Sequence, residues 1–393
     1  MYKLKNNKEY IAFLALLSTV SPLATDMYLP AIPTIAKSWN IATNLVSYSL
    51  VLWFVSFAVC LLLFGTISDK YGRKPVLLTG LAIFLAASFL CATAMNIQQL
   101  IFWRIIQGIG AAAPAAISMA ICRDRYHGEK RKRAFAYIGV ILAVVPITSP
   151  MIGSLLLQFT DWRFIFLTQA FLTLFTTLLS FGYTETIGKK LTGNIFHIFI
   201  RYKHLVLNRG YMLANATMGL LAGPFFGFIA FSPIVYIQIY HLSALKFGLL
   251  FAFNASMSML GAFLCTRLIK VFSDAVILTV SIIGCVVAGA GIIIFGSVHY
   301  LAFAAFMNIF TLCCGISRPL STNLILSQVN SDIGSASGFI VFYTFVIGST
   351  CMALTTAKWD KPIFAFGIIT LVLPLIVLMM WPIMLKIIRN QNS

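Results

Sequence analysis

Residues 65–78 read GTISDKYGRKPVLL. Gly65 permits close approach of helices, Gly72 permits a left-handed turn, and Pro75 suits the first turn of a following helix. Asp69 is placed to cap that helix, while Arg73 and Lys74 hold the loop in a polar phase. On either side stand apolar runs, near 44–66 and 76–95, each long enough to cross a bilayer at about 20 residues per span. Lipid offers the backbone no hydrogen-bond partners, so both runs are expected as helices joined by a tight polar hairpin.

The same pattern extends over the whole chain. Of 393 residues, 60% are hydrophobic and 10% charged, against roughly 25% charged in soluble domains. Further spans are expected near 10–30, 99–121, 134–157 and 162–183, then near 211–238, 247–266, 276–297, 300–325, 335–356 and 363–386. The chain therefore reads as an all-α polytopic membrane protein. Its twelve transmembrane helices form two six-helix halves, 1–183 and 211–393, joined by a basic cytoplasmic linker, 184–210, expected as an amphipathic segment on the membrane surface. Direct repetition is faint, since GTISDKYGRK (65–74) has only a degraded counterpart in GAFLCTRLIK (261–270).

Charge sets the orientation. Lys and Arg concentrate on the side that holds the N-terminus, with Arg123, Arg125, Lys130, Arg131, Lys132 and Arg133 in one connection, whereas the other side holds Lys37, Arg163, Lys246, Lys358 and Lys361. Both termini are expected in the cytoplasm, of a bacterial-type inner membrane. The formal charge of +18 is spread over short loops between spans, so it reads as topology and not as a nucleic-acid surface. No cleavable signal peptide is expected, because the first apolar run outlasts a signal core. Seven of the eight cysteines, all but Cys122, lie inside apolar runs and suggest neither a disulfide framework nor a metal site. A membrane enzyme or receptor would need clustered His, Asp, Ser or Cys near an interface, and no such cluster is present. No G-x-x-x-x-G-K-[ST] loop suggests a nucleotide-driven pump.

One acid stands out. TDMYLPAIP, 25–33, ends the first apolar run and places Asp26 within it, at a cost of at least ~2.5 kcal/mol for an ionised group. The remaining acids fall at span ends or in loops, and no histidine lies mid-span. If the first helix ends near Pro30, Asp26 lies about 6 Å below its outer end. Arg104 enters the fourth span at a comparable depth, so the two are expected to pair facing an internal cavity, either as a structural salt bridge or as a proton route. Burial favours the neutral carboxyl and a guanidinium favours the ionised one, which suits an acid that takes a proton on one side and releases it on the other. Tyr28, Gln107, Asn215, Asn254, Asn308 and Asn323 are polar groups in apolar helices, and Phe231 belongs to an aromatic stretch of the seventh span. They divide between substrate contacts and interhelical glue. Arg318, before Pro319, either snorkels to headgroups or binds an anionic group.

Several motifs resemble the major facilitator superfamily. GTISDKYGRK is similar to its signature loop, with Gly65, Asp69, Gly72, Arg73 and Lys74 in place, and Asp124 matches the acid that this loop's Arg contacts. The resemblance implies a cytoplasmic gate latch made by Asp69, Arg73 and Asp124. LIFWRIIQGIGAA (100–112) is similar to the fourth-helix motif, in which an Arg assists proton coupling. VPITSPMIG (145–153), with Pro146, Pro150 and Gly153, is similar to the antiporter motif of the bicyclomycin/chloramphenicol resistance subfamily, and TDMYLPAIP and GISRPLSTN (315–323) resemble that subfamily too. The implied function is proton-coupled export of small, largely hydrophobic compounds, drugs included, by a monomer that uses a proton gradient and no cofactor. The alternative is a dedicated exporter of an anionic or zwitterionic metabolite or siderophore-like compound. A second acid that some such antiporters carry two turns earlier is replaced here by Ser18.

Overall fold

The structure, a computed structural model, describes residues 7–187, 196–329 and 333–392. No strand occurs among them. In chain order the helices are α1 (Asn7–Asp26), α2 (Ala31–Ser38), α3 (Thr43–Tyr71), α4 (Arg73–Ala92), α5 (Ile97–Arg125), α6 (Gly128–Phe159), α7 (Arg163–Phe181), α8 (Phe196–Leu207), α9 (Arg209–Gly219), α10 (Ala222–Pro233), a π-helical turn (Ile234–Ile239), α11 (Ala244–Leu268), α12 (Asp274–Phe295), α13 (Tyr300–Leu326), α14 (Ile333–Thr356) and α15 (Pro362–Asn392). Eleven helices are long and apolar enough to span a membrane, or twelve if the bent pair α1 and α2 is one span. The chain divides into two compact units, Met1–Ile198 and Phe199–Ser393, with the boundary inside the expected linker. Residues 188–195 of that linker lie outside the described residues, and the remainder includes α8.

Two spans depart from the straight helices that hydropathy suggests, and proline explains both. The first does not run to Pro30. It stops at Asp26, turns through 27–30 and resumes as α2 at a 46° bend. Pro30 and Pro33 carry no N–H, so the Asp26 and Leu29 carbonyls lose their usual donors and the chain closes with shorter bonds, Ala31 N to Tyr28 O at 3.0 Å and Ile32 N to Leu29 O at 3.2 Å. The seventh span breaks between α9 and α10. Pro224 cannot donate to Leu220 O, which takes Gly223 N at 3.1 Å instead. By contrast α6 continues through Pro146 and Pro150 as one helix.

Within each unit the same pairs of spans pack together. In the first, α5 packs on α3 and α4, α4 on α7, and α1 on α6. In the second, α13 packs on α11 and α12, α12 on α15, and α10 on α14. Counting spans, each pairing in one unit has its equivalent in the other, so the repeat that is faint in sequence is plain in packing. Small residues set the closest crossings, as expected where no hydrophobic force drives helices together in lipid. A Cβ at Gly108 of α5 would lie 2.5 Å from the Trp53 carbonyl of α3, and one at Gly315 of α13 would lie 2.5 Å from the Ser258 carbonyl of α11.

Candidate functional site

Asp26 is the last residue of α1 and is 6% exposed. Thr25 Oγ1 donates to its Oδ1 at 2.9 Å, and the same hydroxyl lies 3.1 Å from Pro22 O. A threonine hydroxyl has one proton. With Asp26 ionised the proton points to the carboxylate; with Asp26 protonated the carboxyl can donate to Thr25 Oγ1 while threonine turns to Pro22 O. The pair thus accepts either protonation state without moving a backbone atom. Gly153 of α6, from the expected antiporter motif, backs this turn: a Cβ there would collide with the Met27 carbonyl.

The ion pair expected between Asp26 and Arg104 is absent. None of the ion pairs among the described residues involves either one. The early end of α1 explains why. Tyr28 N bonds to Thr25 O at 3.2 Å, which leaves the Ala24 carbonyl open at the negative end of the α1 dipole. Arg104 Nη1 donates there at 3.2 Å and to Gln107 Oε1 at 2.5 Å. Gln169 Nε2 of α7 also donates to Ala24 O, at 3.3 Å, and Gln107 Nε2 donates to Gln169 Oε1 at 3.0 Å and Ser88 Oγ at 2.8 Å. A buried polar network therefore ties the first, third, fourth and sixth spans together.

Arg104 itself is fully buried, with its guanidinium carbon 4.5 Å from the Tyr28 ring centre, 5.6 Å from Trp53 and 5.9 Å from Phe166. Its Nε and Nη2 have no hydrogen-bond partner. It is a cation held by π faces, the Ala24 carbonyl and the Gln107 side-chain oxygen rather than by a carboxylate. Sequence reading did not single out Gln169 or Ser88; the available signal was a lone amide in the apolar run LTQAFLTLF, 167–175.

The loop at 65–78 forms a compact cluster. Arg73 Nη1 pairs with Asp69 Oδ1 at 2.5 Å and donates to Ser68 Oγ at 2.6 Å and to the Gly65 carbonyl at 3.5 Å, while Nε pairs with Asp124 Oδ2 at 2.9 Å. The three residues expected to act together do meet. The cap is a correction: Asp69 lies in α3 and serves Arg73, and Glu185 caps α4. Its two oxygens accept Arg73 N at 3.1 Å and Lys74 N at 3.0 Å, and Lys74 Nζ donates to the Phe181 and Tyr183 carbonyls at 2.8 and 2.7 Å. Gly72 makes room for this, with φ of 111° and a would-be Cβ 2.7 Å from Glu185 Oε2.

The expected substrate contacts separate into three groups. Tyr28 is fully buried, its hydroxyl 2.8 Å from Ser49 Oγ, and Gln107 is spent in the Arg104 network. Phe231 stacks on Phe366 at 5.1 Å inside an aromatic core with Phe303, and Asn254 Nδ2 donates to Asn308 Oδ1 at 2.9 Å while its Oδ1 accepts from Thr311 at 3.1 Å. These are packing and interhelical bonds. Asn215 and Arg318 line a cavity in the second unit.

The model of the Major Facilitator Superfamily matches residues 14–353. The chain is 30% identical to an uncharacterized MFS-type transporter of Bacillus subtilis, over 86% of each chain. It is 26% identical to multidrug resistance protein D of Escherichia coli, over 96% of each, and 27% identical to a bicyclomycin resistance protein homolog of Haemophilus influenzae, over 68% of each. With spans, packing and signature loop in agreement, the chain belongs to the major facilitator superfamily of secondary transporters.

Proposed function

We propose that the protein is a proton-coupled exporter of small, largely hydrophobic compounds, drugs included, working by alternating access as a monomer in the bacterial inner membrane with both termini cytoplasmic. Two of the relatives named above are drug-resistance proteins, which supports the cargo class. The observation that carries the coupling is Asp26: a buried carboxyl at a helix break, hydrogen-bonded to one hydroxyl that can serve either protonation state. Asp26 carries the proton, and cargo competes with it. Arg104, close to the same turn through Ala24 O, responds to the charge on Asp26. Asp69, Arg73 and Asp124 latch the loop on the cytoplasmic side, and Pro146, Pro150 and Gly153 shape the helix against which the turn rests. The proton gradient is the energy source, so no cofactor is required.

The test is export from proteoliposomes under an imposed pH gradient. Asp26→Asn is expected to abolish gradient-driven export while the purified protein keeps its monodisperse elution. Undiminished gradient-driven export by that variant would overturn the coupling role. A second reading, export of an anionic or zwitterionic metabolite, is favoured by the position of Arg318 in the second-unit cavity.

A further inference from the structure

The packing that the two units share departs at one place. In the first unit α1 lies along α5, with Ser18 Oγ donating to Ser118 Oγ and Ser21 Oγ to the Ala111 carbonyl, both at 3.0 Å. The equivalent helices of the second unit, α9 with α10 and α13, touch more sparsely. Between them and α14 is a cavity of ≈ 210 Å³. The seventh span breaks at this level, where Gly219, Leu221 and Ala222 form part of the wall. Broken membrane helices commonly border ligand sites.

The polar groups of the wall are unevenly supplied. Ser317, Thr322 and Thr344 donate to carbonyls of their own helices, at 3.0, 2.9 and 2.8 Å, and the Cys314 thiol donates to Leu221 O at 3.7 Å. Their protons are committed. Asn215 is 1% exposed, and both its Oδ1 and its Nδ2 lack any partner, a state that costs free energy in every fold that keeps it. Arg318 forms no ion pair among the described residues. Among the described residues no acidic side chain lines the cavity. Phe226 and Phe345, also in the wall, meet edge to face at 5.3 Å.

We propose that this cavity is a subsite for an aromatic carboxylate: Asn215 and Arg318 hold the acid group, and the paired rings of Phe226 and Phe345 form one wall against which the ligand ring packs. The inference deepens the exporter reading and rests on it. Size sets the class. A cavity of about 150 Å³ accommodates benzene, and drug-sized pockets begin at roughly 300 Å³, so ≈ 210 Å³ takes one ring with its carboxylate, the acidic end of a larger cargo. Cations are excluded by Arg318, and a neutral amide of the same shape forfeits the charge-assisted bonds.

Benzoate and benzamide, nearly equal in shape, test this by ligand-observed NMR titration of the purified full-length protein in neutral micelles, with empty micelles subtracted and no pH gradient. Wild type is expected to bind benzoate at least tenfold more tightly than benzamide. Arg318→Gln should bring that ratio to about one. Asn215→Leu, of similar volume, should weaken benzoate at least tenfold while raising Tm by about 2 °C or more, because it removes a buried group that has no partner. Equal binding of the two probes by wild type, an unchanged ratio in Arg318→Gln, or a lower Tm in Asn215→Leu overturns the proposal. So does displacement of benzoate by added phosphatidylglycerol, which would assign Arg318 to lipid headgroups. Absence of the benzoate preference in wild type alongside intact gradient-driven export sinks the subsite and spares the exporter. Undiminished export by Asp26→Asn with the preference intact does the reverse.

Discussion

Replacing Arg104 by methionine separates a structural arginine from a functional one. The guanidinium gives up two hydrogen bonds from Nη1, to Ala24 O and Gln107 Oε1, at about 1.5–3 kcal/mol each for a charged donor. It also gives up its place over Tyr28, at about 0.5–2 kcal/mol. Against this, Nε and Nη2 are buried without partners, at about 1–3 kcal/mol each, and the lone charge has several kcal/mol of desolvation to recover. The two sides offset each other to within about 2 kcal/mol. For a unit of this size that corresponds to a Tm shift of less than about 8 °C in either direction. Gradient-driven export should fall at least tenfold over the same substitution. Differential scanning fluorimetry in detergent and proteoliposome export are the paired measurements. A Tm lowered by 15 °C or more would show that Arg104 is cement for four spans, and its assignment to coupling would fail.

Two further substitutions test the rest of the reading. Gly72→Ala forces φ of 111° on a residue with a Cβ and drives that Cβ into Glu185 Oε2; about 1–3 kcal/mol of lost stability and slower export are expected, measured by thermal melting and initial export rate, and wild-type behaviour would show that the Glu185 cap of α4 does not matter to the loop. Asn254→Leu leaves Asn308 and Thr311 without their partner; Tm should drop by several degrees with benzoate binding unchanged, the opposite of Asn215→Leu.

How much of this was legible depended on whether a feature is local. Spans could be counted because about 20 apolar residues suffice to fix each one. Asp69, Arg73 and Asp124 could be grouped from the loop motif, and the structure brings them together. The cap of α4 could not be found, because Glu185 reaches it from more than a hundred residues away. The Asp26–Arg104 pair failed for a related reason. Depth along two helices was estimated correctly enough to place both in one layer, but the partner of a buried guanidinium is decided by which carbonyls a helix end leaves open, and that end moved from Pro30 to Asp26. Among the intramembrane asparagines, residue type alone could not separate Asn254, satisfied by two neighbours, from Asn215, satisfied by none.

The two units share one packing plan and spend their polar residues differently. In the first, the space between α1 and α5 is closed by serine contacts, and the interior charge is intrinsic: Arg104 bonds to the Ala24 carbonyl, at the same helix end as Asp26, without pairing with it. In the second, the corresponding space is open, Asn215 has no hydrogen-bond partner and Arg318 no ion pair among the described residues. A repeat whose halves were interchangeable would distribute acid and cavity alike. If, as proposed, proton handling belongs to α1, α5 and α6 and recognition of the cargo's acidic end to α9, α10, α13 and α14, substitutions in the first set should alter coupling across all cargos, and those in the second should alter which cargos are accepted.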